Sequence, residues 1–332
     1  MKSLSLSISL FLLCVAFSGG VTAKTLKFAT VAPAGTTWMK EMKAGAKNVK
    51  ERTEGRVKIK FYPGGVMGND QSVHRKIKIG QLHGGAFTPG GLSHVNSSIQ
   101  ALSLPLVFNS LDEVDYVREE LDDVMKQEME ESGFVVLGIS EGGFARILSK
   151  EPMLNAENLR ESKVWVPEGD QLNQISFKAL GVSPISLPIA DVFTGLQTGL
   201  IETVAVNPTS AIAFQWHTST GYMNDTPIAY LIGVLAVQKK ALDKLKPEDQ
   251  KIVREEMGAA FARLDEINRN DNQAALKVLQ TQGIEMIATD PVEVERWKGY
   301  AEEAIMNMVE SGAISGDIVL HVQRRLQEYR NR

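Results

Sequence analysis

The residues with the most overt chemical potential form Gly138-Ile139-Ser140-Glu141-Gly142, a match to G-x-S-x-G, in which a strand-to-helix turn lifts a serine nucleophile out of a sheet. Asp191 and His217 follow it and would complete a triad, giving a secreted serine hydrolase. The context opposes that reading, because Gly143 to Leu148 has the look of a second strand where the motif requires a helix. Binding chemistry has more support. Trp38, Phe87, Thr88 and Asn207 fall at or near the ends of expected strands, where open α/β sheets hold ligands. Arg146 is either an exposed strand residue or a buried guanidinium that needs an anionic partner, such as a small carboxylate solute. Trp165 is either a core residue or an aromatic platform. Glu141, Glu168 and Asp170 are close to the same strand ends and are the groups that could bridge a metal ion to a ligand. The five histidines (His74, His83, His94, His217, His321) show no metal-binding spacing, and no Walker or dinucleotide glycine loop is present, so neither a metal centre nor a cofactor is expected.

These groups need elements to hold them. Leu26 to Val31 reads as a strand, and Trp38, Met42, Ala46 and Val49 recur at helical spacing up to Gly55. Val57, Ile59 and Phe61 then alternate with polar or amphipathic neighbours as a half-buried strand does. Together they make a βαβ unit, continued by a helix over 72–79 and a strand over 82–87. Ser110 and Glu113 form a capping box for a helix carrying Val114, Val117, Leu121 and Val124. Phe134 to Leu137 and Ala145 to Leu148 read as two strands. The stretch from Ser162 to Pro208 is the clearest: strand, helix over 171–180, strand over 182–187, helix over 190–198 and strand over 201–206, with Gly181 and Gly199 at helix ends. Tyr230 to Val237 is a continuous apolar run suited to a buried strand. From Pro247 to Gly283 a helical pattern runs for roughly 50 Å, longer than one small domain needs, so it is expected to lie along two. Ile284 to Ala288 reads as a further strand, followed by a helix capped at Asp290-Pro291 and a terminal helix over 317–329.

Length and composition set the outer bounds. At 332 residues, with 43% hydrophobic and 23% charged residues, an ordinary two-domain globular protein is the default. A formal net charge of −4 and the lack of any basic run argue against nucleic acid as a partner. Lys2, the apolar Leu6 to Phe17 and Val21-Thr22-Ala23 make a signal peptide over 1–23, with the mature chain starting at about Lys24. Cys14, the one cysteine, raises a lipoprotein alternative that the bulky Leu13 before it disfavours. No second apolar run in the sequence is long enough to span a bilayer.

Several long stretches in one order bring a resemblance. They are LKFATVAPAGTTWMKEM after the signal; ERTEGRVKIKFYPGGVMGND, similar to T-G-R-V-x-V-x-x-(Y/F)-P-x-x-x-(L/M)-G; KALGVSPISLP; and FTGLQTGLIETVAVNP, similar to Y-x-A-L-Q-x-G-x-x-D-x-x-E-N-P. Over essentially the whole mature chain the sequence resembles the DctP-like solute-binding proteins of tripartite ATP-independent periplasmic (TRAP) transporters. The resemblance implies an α/β, type II periplasmic-binding-protein fold: two lobes, each with a mixed β-sheet flanked by helices, a ligand cleft between them and a long helix spanning both. Lobe I is expected over 24–146 plus about 230–268, and lobe II over 147–229 plus about 269–332. It further implies no enzymatic activity, a periplasmic monomer, a small organic acid as ligand and the TRAP membrane permease subunits as partners. A ligand-sensing partner of a membrane receptor is the variant of that reading without transport. By position, Asn207 of the N-P motif and Arg146 near the lobe boundary carry over as ligand contacts. One departure matters: where the family reads K-x-R-V-P, with the arginine on the ligand carboxylate, this chain has Lys163-Val164-Trp165-Val166-Pro167.

Overall fold

A computed structural model describes residues 23–332; the signal-peptide and Cys14 assignments lie outside the described residues, apart from Ala23. In chain order the strands are β1 (Lys24–Thr30), β2 (Val57–Tyr62), β3 (Gly84–Phe87), β4 (Phe134–Ser149), β5 (Trp165–Pro167), β6 (Ile185–Leu187), β7 (Thr203–Val206), β8 (Tyr222–Asn224), β9 (Ala229–Gln238) and β10 (Glu285–Ile287). The first lobe is built on the order β2-β1-β3-β9-β4, with β2, β1 and β3 parallel and β9 antiparallel to both β3 and β4. In the second lobe the far end of β4 pairs with β7 on one side and β8 on the other, and β8 carries β10. The parallel pair β5 and β6 joins through a single bridge from Val164 to Thr203.

The two strands expected over 134–137 and 145–148 are one. β4 continues without a turn because its ladder with β9 runs from Phe134–Gln238 to Ala145–Ala229, absorbing irregularities at Val136/Gly138 and Glu141/Gly143. Such insertions bend a strand without ending its pairing. Gly143, at φ +90°, sits in one of them, in a conformation that side-chain-bearing residues rarely adopt. The apparent break in the sequence is therefore the point where β4 passes from one lobe to the other.

The long helix Pro247–Thr281 starts with proline in its first turn, where the missing N–H costs nothing. Its Val253, Met257, Phe261 and Leu264 pack with Leu26, Met42, Leu137 and Leu235 of the first lobe. Further along, Leu276 and Leu279 pack with Trp165, Leu196 and Val204 of the second. Buried positions three or four apart along the helix thus serve two cores in succession.

The C-terminal segment corrects an expectation. Lobe II is expected to take about 269–332 as a block, but the last helix, Gly316–Arg330, lies on Leu111–Glu131 in lobe I. Ile318, Val319, Val322 and Leu326 share a core there with Val114, Val117 and Leu121. Arg330 Nε donates to Glu113 at 2.8 Å, and the Arg325 guanidinium stacks 3.9 Å from the Tyr116 ring centroid. Helix Pro291–Glu310 makes the crossing: Trp297 packs with Phe177, while Ile305 and Met308 join Leu102 and Leu121. An amphipathic period names a buried face but not the surface that covers it.

Candidate functional site

Between the lobes lies a cavity of about 730 Å³. That is within the range of small-molecule sites. One wall comes from lobe I, through the turn after β1 and the end of β3, and contributes Trp38, Phe87 and Thr88. The other comes from lobe II, through β5, β7 and the segment after it, and contributes Trp165, Asn207, Phe214 and Trp216. The long helix closes one side with Asn268, Asp271 and Ala275.

Trp38 opens onto the cavity from the first turn of helix Thr37–Arg52, its ring edge-on to Phe261 at 5.6 Å. It rests on Gly233 of β9, where an added Cβ would stand 2.4 Å from the indole. No larger residue fits there without moving the ring. Across the cleft, Trp165 is 4% exposed and spends its one polar group on Leu187, Nε1 to carbonyl oxygen at 3.0 Å. The indole packs at 74° against Trp216, centroids 5.3 Å apart, and Trp216 stacks on Phe214 at the same separation. The choice left open for Trp165 has no either-or answer: it is a core residue of lobe II and part of the cavity wall.

Asn207 caps the short helix Pro208–Ala213, its Oδ1 accepting from Ser210 N at 2.9 Å. Its amide also donates to the Gly142 carbonyl oxygen in β4. The second amide proton has no partner among the described residues, and the residue lines the cavity. The same Gly142 oxygen accepts from Asn272 Nδ2 of the long helix at 2.8 Å, and Asn272 Oδ1 holds Thr209 Oγ1 at 2.7 Å. The backbone irregularity of β4, the N-P turn and the long helix are thereby tied at one carbonyl.

Three of the residues selected from sequence do not line the cavity. Arg146 lies between Ala145 and Ile147, which do; alternation along β4 sends its side chain to the opposite face of the sheet, where Nη1 reaches the Asn224 carbonyl oxygen. Burial lowers its pKa, opposed only by Asp225. Glu141 is fully buried beneath β4, accepting from Arg269 Nε at 2.8 Å and from the Tyr230 hydroxyl at 3.0 Å. Burial raises its pKa even so. Glu168 sits at the rim, where Asn69 of lobe I donates to it across the cleft.

The serine of the G-x-S-x-G match is mid-strand and fully buried, with Asn268 Nδ2 at 3.5 Å from its hydroxyl. His217 Nδ1 is engaged with the Ala211 carbonyl oxygen at 3.0 Å. That geometry offers neither an exposed nucleophile nor a base beside it. Among the described residues no cluster of three or more His, Cys, Asp or Glu could hold a metal ion.

Of the three carboxylates expected near the cleft only Asp170 lines it, joined there by Asp271, which no sequence motif singles out. Asp170 caps helix Gln171–Ala179 from the cavity wall, accepting from Asn173 N at 3.1 Å and Nδ2 at 2.7 Å, and burial raises its pKa. Asp271 accepts from Thr37 Oγ1 at 3.0 Å at the start of helix Thr37–Arg52. Just behind the wall, Asp70 accepts from Thr88 Oγ1 at 2.8 Å; desolvation and the nearby Asp170 push its pKa up to about 6, against the pull of the Thr88 hydrogen bonds. The sequence held a signal for one of these. Asn268, Asp271, Ala275 and Val278 fall on one face of the long helix, a small and polar interruption of an otherwise apolar stripe.

Residues 28–311 match the family model described as bacterial extracellular solute-binding protein, family 7 (DctP). The chain belongs to that family. It is 27% identical to the uncharacterized protein YiiZ of Salmonella typhimurium over 62% of this chain and 63% of that relative, so the match spans less than two thirds of the relative's length. It is 25% identical to the 2,3-diketo-L-gulonate-binding periplasmic protein YiaO of Escherichia coli over 72% of this chain and 73% of the other. Its fold matches a TRAP periplasmic solute-binding protein from Xanthobacter autotrophicus Py2, crystallised with β-D-galacturonate, at a TM-score of 0.83 and 20% identity, covering 91% of this chain and 99% of that one. The expected α/β two-lobed binding-protein fold is thus the observed one.

Proposed function

We propose that this protein is the extracytoplasmic receptor of a TRAP transporter, exported by residues 1–23, mature from about Lys24, and acting as a carrier without catalysis. It closes its lobes over a small organic acid with an apolar or aromatic portion and passes it to the membrane permease subunits. The observation that carries this reading is the cavity itself, whose two facing walls belong to different lobes, so that a bound solute stabilises the closed arrangement by touching both. The places where the chain passes between lobes supply the bending points: β4 at Gly142-Gly143, the start of β9 and the long helix near Asn268 to Asn272. We place lobe I over 24–142 and 230–268 with the C-terminal helix added, and lobe II over 143–229 and 269 to about 300.

The test is transport by cells lacking the gene. Solute uptake should disappear on deletion and return with the wild-type protein, and small-angle scattering should show the purified protein contracting when the solute is added. Uptake unchanged by deletion, with contraction intact, would instead favour the sensing role.

A further inference from the structure

Among the described residues, those lining the cavity include no arginine, lysine or histidine, and the only charged groups among them are Asp170 and Asp271. Both are acidic and both are spent on the protein. Each stands at the N-terminal end of a helix that faces the cavity, Asp170 before Gln171–Ala179 and Asp271 against Thr37–Arg52. A helix N-terminus attracts an anion; here Asp170 caps the first helix, while the second is capped by Thr36 and has Asp271 beside it on the Thr37 hydroxyl. The nearest arginine on a lining strand, Arg146, faces away through the sheet. A solute carboxylate entering this cavity therefore finds no positive charge to pair with and two negative ones to avoid. Both walls carry aromatic rings, Trp38 and Phe87 from one lobe and Trp165, Phe214 and Trp216 from the other; Trp38 and Phe214 are the more open, and Phe87, Trp165 and Trp216 are largely buried behind the wall.

We propose that this receptor recognises its solute by an uncharged aromatic or alicyclic ring held between those two walls, and that a carboxylate on the solute is dispensable for affinity. The inference rests on the cavity being the solute site of the receptor described above. Trp165 cannot serve as a hydrogen-bond donor to the solute, because its N–H is committed to Leu187, so it presents hydrocarbon and a π-face. Orientation falls to neutral groups, chiefly the remaining amide proton of Asn207.

The experiment uses the mature wild-type protein and matched compounds. Aromatic and alicyclic carboxylates (3-phenylpropionate, cyclohexanecarboxylate and a wider ring library), each with its primary amide and alcohol, are titrated beside D-galacturonate and L-gulonate, following melting temperature and tryptophan emission. For the rings that bind, the amide or alcohol is expected to match or exceed the carboxylate in affinity, with little change from low to high salt, and the sugar acids are expected not to bind. A carboxylate at least tenfold tighter than its amide overturns the proposal. Binding of sugar acids but of no ring also overturns it while leaving the receptor reading intact. If neither class binds and the protein purified from the periplasm carries no small molecule by native mass spectrometry, both readings fall. Trp165→Phe, which keeps an aromatic wall, should retain ring binding within a few fold, whereas Trp165→Ala should lower it at least tenfold; native-state emission of the free variants checks that both fold.

Discussion

Asp70 offers a prediction whose size can be worked out. As a residue Asp70 is only partly buried, its carboxyl set behind Thr88, and its pKa stands at about 6 where 3.8 is ordinary, mainly because of desolvation. A carboxyl whose folded pKa is raised contributes stability that is present below the unfolded value and is lost as pH rises through the folded one. The interval from 3.8 to about 6 corresponds to about 3 kcal/mol at neutral pH, and water reaching a partly buried residue trims that toward about 1 kcal/mol. Asp70→Asn keeps an oxygen to accept from Thr88 and removes the charge. The variant should be more stable than wild type at pH 7.5 by about 1–3 kcal/mol, a rise in melting temperature of roughly 2–5 °C, and the advantage should fade as pH drops through 6 toward 4. His74 runs in the opposite sense over part of the same window: burial lowers its pKa to about 4, so its contribution is lost as pH falls below about 6.5. Because that slope is common to both proteins, the quantity to follow is the difference between the two melting curves, measured by circular dichroism from pH 4.5 to 8. A variant no more stable than wild type at pH 7.5, with parallel pH profiles, would refute the account of Asp70.

Other substitutions probe the frame around the cavity. Gly233→Val drives a side chain into Trp38, since even a Cβ would stand 2.4 Å from the indole, and should cost about 1–3 kcal/mol in urea unfolding and weaken solute binding together. Arg269→Ala leaves the buried Glu141 without its cation and should destabilise by about 3 kcal/mol; adding Glu141→Gln, which removes the stranded charge, should restore most of that in the same assay. Ser140→Ala should leave solute binding unchanged, and wild type and variant alike should escape labelling by a fluorophosphonate probe; labelling of Ser140 would revive the hydrolase reading.

Local physics was legible where a segment decides its own conformation. The run from Ser162 to Pro208 showed its alternation of strands and helices through spacing and through glycines at helix ends, and the structure follows it within a few residues. The long helix announced itself by its period, with Pro247 at its start. β4 did not, because Gly138, Gly142 and Gly143 read as turn residues in isolation; only the ladder supplied by β9, far away in sequence, keeps that backbone extended. The C-terminal helix likewise carries a clear apolar face, yet nothing in that face says it will find Val117 and Leu121.

The site divides along the same line. Residue type and strand-end position were enough to select Trp38, Phe87, Thr88, Trp165 and Asn207, since ends of strands in an open sheet converge on one cleft. They could not assign Arg146, because a single step along a strand turns a side chain from the cavity to the far side of the sheet, and its register is set by pairing with β7 and β9. Nor could they foresee Asp271, which reaches the cavity only because the long helix lies across both lobes. The chain's own order of residues determined that it would form two α/β lobes around a solute-sized cleft. Which charges face that cleft was decided by tertiary packing alone, because the sign of a cavity depends on the direction of side chains brought together from distant segments.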